Sequence, residues 1–354
     1  MIYLDHAATT PLHPAAKAAM AEAMEVVGNP SSLHGAGSCA KALLEESRKA
    51  IADCLGCEPQ EILFTSGGTE SNALALHGKN RVLTSPMEHP SLVKNCKQPL
   101  FFPVKDTGIV DDCDLEAFLR QGVDLVSLQY ANSETGLLQP VARVGEVCRR
   151  YGVPFHSDGV QAVGKAELCL RKLPVDLLSF SAHKFGGPAG IGGLYRKEGT
   201  PLLPLYQGGK QEREIRPGTE SVLLARGMAA ALQAAVQERE ETSKRLSELG
   251  EQILRKVISL GGVETGRGKR IPGHLHFRFS GKDGEALAAR LDLLGFCVSA
   301  GAACHSGSHT PSPVLLAMGF SEKEASEGLR VTLGQTTQRE DVQAFLAALE
   351  GIKD

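Results

Sequence analysis

Through the first three-quarters of the chain, short apolar runs alternate with amphipathic stretches. Residues 61–65, Glu-Ile-Leu-Phe-Thr, read as a strand, followed by a glycine-rich turn and a helix from about Thr69. Further strands are predicted at 81–85, 124–129, 153–157 and 176–179. Between the strands at 124 and 153, Val144, Val147 and Cys148 fall at helical spacing within 141–151, closed by Gly152. Strand-helix-strand alternation of this kind implies an α/β fold with a mainly parallel sheet covered by helices.

The pattern then changes. Residues 221–260 form a long helical stretch rich in Ala, Leu, Glu and Arg, and 261–273 are glycine-rich and basic. A strand at 274–279, a helix at 285–294 and a strand at 296–299 follow, then a polar loop. This predicts a large domain over 12–250 and a smaller α+β domain made of 1–11 plus 251–354. The boundary near Gly250 carries a margin of about fifteen residues.

Composition narrows the class of protein. The 354 residues are 42% hydrophobic and 22% charged, with a net charge of -3, which offers no electrostatic reason to expect nucleic acid or an anionic membrane as partner. No apolar run approaches the roughly 20 residues that span a bilayer, and the first residues do not read as a signal peptide. Nine cysteines, spread out and odd in number, fit reduced thiols in a cytoplasmic protein better than a disulfide scaffold. There is no repeat and no low-complexity segment.

Candidate chemistry gathers at strand ends. Thr65-Ser66-Gly67-Gly68-Thr69-Glu70-Ser71 lies between a strand and a helix, where backbone N–H groups and the helix dipole favour a phosphate. It is not a Walker A loop, and the same turn also serves as a plain strand-to-helix connection. His156-Ser157-Asp158 closes another strand at the carboxyl edge of the predicted sheet, where open α/β folds bind ligands. A carboxylate there either pairs with a protonated ring nitrogen or caps a turn. His89 follows a strand and is able to stack on a ring and exchange protons, or simply to sit in a loop. Lys184 ends Ser179-Phe180-Ser181-Ala182-His183-Lys184, just before Gly186-Gly187-Pro188. A desolvated lysine at such a place forms Schiff bases, although most lysines are solvated surface charges. The phosphate turn, the strand-end carboxylate and the strand-end lysine together point to a pyridoxal-phosphate enzyme with Lys184 as its reactive amine.

In combination these residues resemble a known family. Asn-Pro-Ser-Ser at 29–32, the turn at 65–71, Glu88-His89, the segments 158–161 and 181–184, Gly208-Gly209, 216–220 and 299–304 look like the cysteine desulfurases. These are class V aminotransferase-like enzymes of fold-type I, and the resemblance runs in register from Tyr3 to Arg330. It implies pyridoxal 5'-phosphate held on Lys184, with Asp158 at the ring nitrogen, Gln161 at the phenolic oxygen and His89 stacked on the ring. Gly68, Thr69, Ser181 and His183 would hold the phosphate, and Thr219 would reach the phosphate of a neighbouring subunit in a homodimer. Arg330 would clamp the substrate carboxylate.

The sulfur chemistry falls to Cys304, in the small, polar run Ser299-Ala300-Gly301-Ala302-Ala303-Cys304-His305-Ser306-Gly307. Thiolate is the nucleophile, and a charged His305 next door would favour it. The resemblance implies that Cys304 attacks the sulfur of a bound L-cysteine, yielding alanine and a persulfide to be passed to an acceptor. The spacing from Cys304 to Pro311-Ser312-Pro313 matches the longer-loop desulfurases that feed iron–sulfur assembly or thiolation. The same stretch also resembles selenocysteine lyase, with L-selenocysteine as substrate. A sulfur-carrier or assembly scaffold without turnover is the reading from another class.

Three positions depart from the family pattern. Ser133 stands where a second asparagine is usual and normally contacts cofactor and substrate, Gly159 replaces an alanine, and Ala189 a lysine. Other features read as structural. Cys54-Leu55-Gly56-Cys57 has no second pair at zinc spacing, and it falls where a helix should end at Gly56. His274 and His276 alternate on one strand face, and 238–245 is a solvated helix face, so no metal site is expected.

Overall fold

The computed structural model describes residues 1–301 and 310–351. The chain opens with β1 (Ile2–Tyr3), α1 (Pro14–Met24) and α2 (Gly35–Leu55). Histidines start both helices: the Nδ1 atoms of His13 and His34 accept from Ala15 N–H and Gly37 N–H at 3.1 and 3.2 Å. The second ends at Gly56, as the sequence predicts.

The large sheet follows in alternation: β2 (Ile62–Thr65), α3 (Gly68–Leu76), β3 (Arg81–Thr84), α4 (Pro90–Val93), β4 (Gln98–Phe101), α5 (Leu115–Arg120), β5 (Leu125–Ser127), α6 (Val141–Tyr151), β6 (Phe155–Asp158), β7 (Leu177–Ser181) and β8 (Gly192–Arg196). Its seven strands run in the order β2-β8-β7-β6-β5-β3-β4. Only β8 is antiparallel to its neighbours; the other pairs are parallel. Every residue of β5, β6 and β7 is buried, as strands covered on both faces require. The parallel α/β expectation therefore holds, and α6 occupies the predicted bounds.

Two strands of this sheet escape the sequence pattern for physical reasons. β4 contains Pro99, which a sheet tolerates only at an edge, and β4 is an edge strand. β8 opens on Gly192-Gly193, where a Cβ on Gly193 would lie 2.2 Å from the Phe180 ring. The glycines that weaken its strand signature are what let it lie against β7.

The helical stretch at 221–260 is two helices, α7 (Val222–Gln237) and α8 (Arg239–Ser259), turning at Glu238. The first buries Ala225, Met228, Ala229 and Leu232 in the core of the large sheet. The second carries Leu246, Leu249, Ile253 and Val257 into another core with Leu4, Phe277, Phe296, Leu329 and Phe345. No Gly or Pro marks the turn, so it is set by which core each half packs against. Around this second core lie β9 (Val263–Glu264), β10 (His274–Arg278), α9 (Gly284–Leu293), β11 (Phe296–Cys297), α10 (Pro313–Ala317), α11 (Glu322–Ala325), β12 (Gly328–Thr332) and α12 (Arg339–Gly351). β10 pairs antiparallel with β12 and β9, and β1 pairs parallel with β11.

The segment after β1 ties the two cores together. Thr332 N–H donates to Leu4 O at 2.7 Å, and Ala7 N–H donates to Thr332 Oγ1 at 2.9 Å. Further along, Thr10 N–H donates to His183 O and His13 N–H to Gly186 O, at 2.9 and 2.8 Å. No helix among the described residues is long and apolar enough to cross a membrane.

Candidate active site

One cavity at the carboxyl edge of the sheet is lined by Gly68, Thr69, His89, Ser133, Asp158, Gln161, Ser181, His183, Lys184 and Arg330. These are the predicted site residues with two exceptions. Thr219 sits exposed on the loop before α7 and does not line the cavity. Cys304 lies outside the described residues.

The turn predicted to take a phosphate is built by Gly67, whose φ of 155° and ψ of -177° are open to glycine alone, so the chain turns straight from β2 into α3. Ser71 Oγ braces the turn, bonded to Thr65 Oγ1 at 2.8 Å and donating to Gly193 O at 3.0 Å. His183 Nδ1 meets Thr9 Oγ1 at 3.2 Å. Burial, with the charges of Lys184 and Lys165, lowers His183 to about 4, so it is a neutral imidazole at pH 7.

Asp158, at the end of β6, is held by both oxygens. Oδ1 accepts Val160 N–H at 2.9 Å and Oδ2 accepts the Asn72 amide at 2.7 Å. Asn72 also donates to Ser91 Oγ at 3.0 Å, and Ser91 Oγ lies 2.8 Å from His89 Nδ1. His89 Nδ1 accepts Ser91 N–H at 3.1 Å, so the tautomer this network implies carries its proton on Nε2. Asn72 and Ser91 were not predicted. The available signal was the four-residue spacing from Gly68 to Asn72, which puts both on one helix face.

Beside His89, Glu88 is buried. Its Oε1 accepts Gln129 N–H at 2.6 Å, and its Oε2 has no hydrogen-bond partner among the described residues. Burial first, then the Asp158 charge, push this carboxyl well above the usual range.

Lys184 lies in the short turn between β7 and β8, and its Nζ donates to Ala7 O and Ala8 O at 2.7 and 2.8 Å. Arg330, on β12, is fully buried; it donates to Asp5 Oδ1 at 2.8 Å and Ser133 O at 2.9 Å. Its backbone pairs with Ser299, just ahead of the predicted cysteine loop, at 2.6 and 3.1 Å.

The departures have local explanations. Asn132 Oδ1 accepts Glu134 N–H, Thr135 N–H and Thr135 Oγ1–H, so the turn holding Ser133 does not depend on its side chain. A Cβ on Gly159 would lie 2.8 Å from Leu178 Cδ2, which disfavours alanine there. Nothing in the structure explains Ala189.

The lining suits pyridoxal phosphate. Backbone N–H groups and hydroxyls stand at one end, a carboxylate at the other, with an imidazole and a primary amine between. Two buried polar atoms on lining residues, Asn72 Oδ1 and Arg330 Nε, have no partner among the described residues. Gly68, Thr69, Ser181 and His183 would take the phosphate, Asp158 the ring nitrogen and Lys184 the aldehyde carbon. Among the described residues, no three His, Cys, Asp or Glu side chains are grouped to hold a metal ion.

Comparison with known proteins agrees with this chemistry. Residues 2–345 match the class-V aminotransferase family. The chain is 40% identical to the IscS-like cysteine desulfurase of Mycobacterium tuberculosis, over 99% of this chain and 96% of that one. It is 36% identical to the human cysteine desulfurase, over 96% of this chain and 79% of that one. The X-ray structure of a NifS-like protein from Rickettsia africae superposes with a TM-score of 0.92 at 33% identity, covering 99% of both chains. SspA in complex with cysteine superposes with a TM-score of 0.81 at 29% identity, covering 94% of this chain and 99% of that one. On the strength of these matches over nearly the whole chain, it belongs to the pyridoxal-phosphate-dependent cysteine desulfurases of the class-V aminotransferase family.

Proposed function

We propose that this protein converts L-cysteine to L-alanine and carries the released sulfur as a persulfide on Cys304. The observation that carries the reading is the convergence of Lys184, Asp158, His89 and the start of α3 on one cavity. Pyridoxal phosphate, when bound, supplies an electron sink for negative charge developing at the substrate α-carbon. Lys184 Nζ would hold the cofactor and serve as the base at that carbon. Asp158, fixed by Asn72 and Val160 N–H, would hold the ring nitrogen. His89 would lie against the ring and offer its Nε2 proton there. Arg330 binds the substrate carboxylate, its Nε edge offering a donor that no protein group takes among the described residues.

At the sulfur, the Cys304 thiolate forms a bond to the substrate sulfur while the substrate Cβ–S bond breaks. The electron pair leaves with the carbon, which is protonated to become alanine. An acceptor protein then takes the sulfur, for iron–sulfur assembly or thiolation. The active unit is a homodimer; the exposure of Thr219 away from its own cavity supports a role toward a neighbouring subunit's phosphate. Eight free cysteines among the described residues support a reducing, cytoplasmic setting.

The test is equimolar alanine and sulfide from cysteine with a reductant present. Cys304→Ala abolishes this, and Lys184→Ala removes the visible absorbance of the bound cofactor. Sulfide release that survives Cys304→Ala would overturn the persulfide route. Selenocysteine turned over far faster than cysteine would reassign the substrate. A protein that takes up cofactor yet turns over neither substrate would point to a carrier or scaffold.

A further inference from the structure

A cation stands behind the cofactor cavity that the proposed reaction does not use. Lys165 lies one turn beyond Gln161, after Gly164, whose φ of 78° is left-handed and whose Cβ would meet Phe185 Cβ at 2.8 Å. Lys165 Nζ donates to Gln161 Oε1 at 3.3 Å, and no carboxylate lies within ion-pair distance of it among the described residues. The amide nitrogen of Gln161 then donates to Ala7 O at 3.0 Å, the carbonyl that also accepts from Lys184 Nζ at 2.7 Å. The order of atoms is thus Lys165 Nζ, Gln161 amide, Ala7 carbonyl, Lys184 Nζ.

A carboxamide has two nearly isosteric orientations, and its neighbours decide between them. Ala7 O accepts only, so it selects the nitrogen. A lysine amine donates in its charged form, so it selects the oxygen. With both in place, the second N–H of Gln161 is left for the cavity it lines. Without Lys165, Ala7 O alone holds the amide. The charges acting on Lys165 are those of Lys184 and Arg330, and Lys165 in turn acts on His6, His183 and His274. Glu238 and Arg239 share the adjoining cavity with it. Burial and the two cations lower its amine to about 7, which is the cost of keeping a lysine here without a carboxylate.

We infer that Lys165 is a positioning residue that fixes the Gln161 amide, and so sets which hydrogen-bonding group the protein offers the cofactor on that side. The inference rests on the reading of the cavity as a pyridoxal-phosphate site.

A double-mutant cycle on the holoenzyme tests it, with Lys165→Met, Gln161→Leu and the pair. The readouts are the dissociation constant for pyridoxal phosphate and the visible circular dichroism of the bound cofactor. Lys165→Met should weaken binding by about tenfold, as expected for a hydrogen bond that involves a charged group, and alter the dichroic band. Gln161→Leu should do the same, and the pair should bind no worse than Gln161→Leu alone. Lys165→Arg should restore most of the affinity. Thermal stability of Lys165→Met should stay close to that of the wild type, because no ion pair among the described residues is lost and the side chain is only half-buried. A Lys165→Met penalty of equal size in the Gln161→Leu background would overturn the inference, as would no penalty in the wild type. A lowered melting temperature with unchanged dichroism would assign Lys165 to packing instead. Wild-type protein that binds no pyridoxal phosphate would overturn the cavity reading itself.

Discussion

Replacing Arg48 by methionine should destabilise the protein far more than loss of a surface ion pair. Arg48 and Glu212 side chains are 3% and 1% exposed and meet at 2.6 Å, with a second contact at 2.9 Å. Their partners explain the burial. β2 is an edge strand, so its outer N–H and C=O groups have no neighbouring strand. Glu212 Oε2 accepts Phe64 N–H at 2.8 Å, while Arg48 Nη1 and Arg213 Nη1 donate to Ile62 O at 2.8 and 3.0 Å. The pair does the work of an eighth strand over one residue spacing. It also holds Glu212, Arg213 and Glu214 at φ of 42°, 59° and 63°, a left-handed run without glycine. Arg48→Met leaves the Glu212 carboxylate buried without its cation, a loss of about 3–5 kcal/mol. That corresponds to a fall of roughly 4–7 °C in the thermal midpoint. Differential scanning calorimetry measures it directly. The double variant Arg48→Met/Glu212→Leu should lose less than Arg48→Met alone, because no uncompensated charge remains. A shift under about 1 °C for Arg48→Met, or a double variant worse than the single, would refute the account.

Other expectations concern pH. Burial depresses His6 and His156 to about 4 and His276 to about 3. Each stays neutral in the folded state, so its contribution is present above the unfolded value near 6.5 and lost as pH falls toward 4. The unfolding free energy from urea titrations should drop steeply between pH 6.5 and 4, by roughly 3 kcal/mol per histidine; a flat profile would contradict it. Glu88 has the opposite sign, since its folded carboxyl titrates above the unfolded one. Its favourable share is complete below about pH 4.3 and is lost as pH rises through its folded value. Glu88→Gln should therefore gain on the wild type as pH rises from 5 to 9, read as the difference in melting temperature; a difference that does not grow would sink the neutral-acid reading.

Much of the site is legible in the sequence because its groups sit at the ends of buried strands. Lys184 and Asp158 follow apolar runs, and the turn at Gly67 follows another. What was not legible is contact between segments distant in sequence. Asn72 is an ordinary helix residue until β6 brings Asp158 against it, and Glu88 is an ordinary acid until burial isolates it. The break at Glu238 has no local signal, because α7 and α8 differ in what they pack against rather than in what they are made of. Pro99 in β4 and the glycines of β8 hide strands that only the edge position and the Phe180 ring make sensible.

The segment from β1 to Ala8 has a consequence for how the protein is made. Its backbone is paired with Cys297 and Thr332, and its carbonyls hold the Lys184 amine. Leu4 therefore waits for Cys297 and Thr332, made about 300 residues later, before it finds these partners. During synthesis the large sheet is able to assemble with Lys184, Thr10 and His13 in place, but Arg330 and the strand that holds Leu4 have yet to appear. Pairing across some 325 residues carries a high loop-closure cost. The lysine thus gains its final surroundings late, so a nascent chain with an assembled sheet is not yet competent for catalysis.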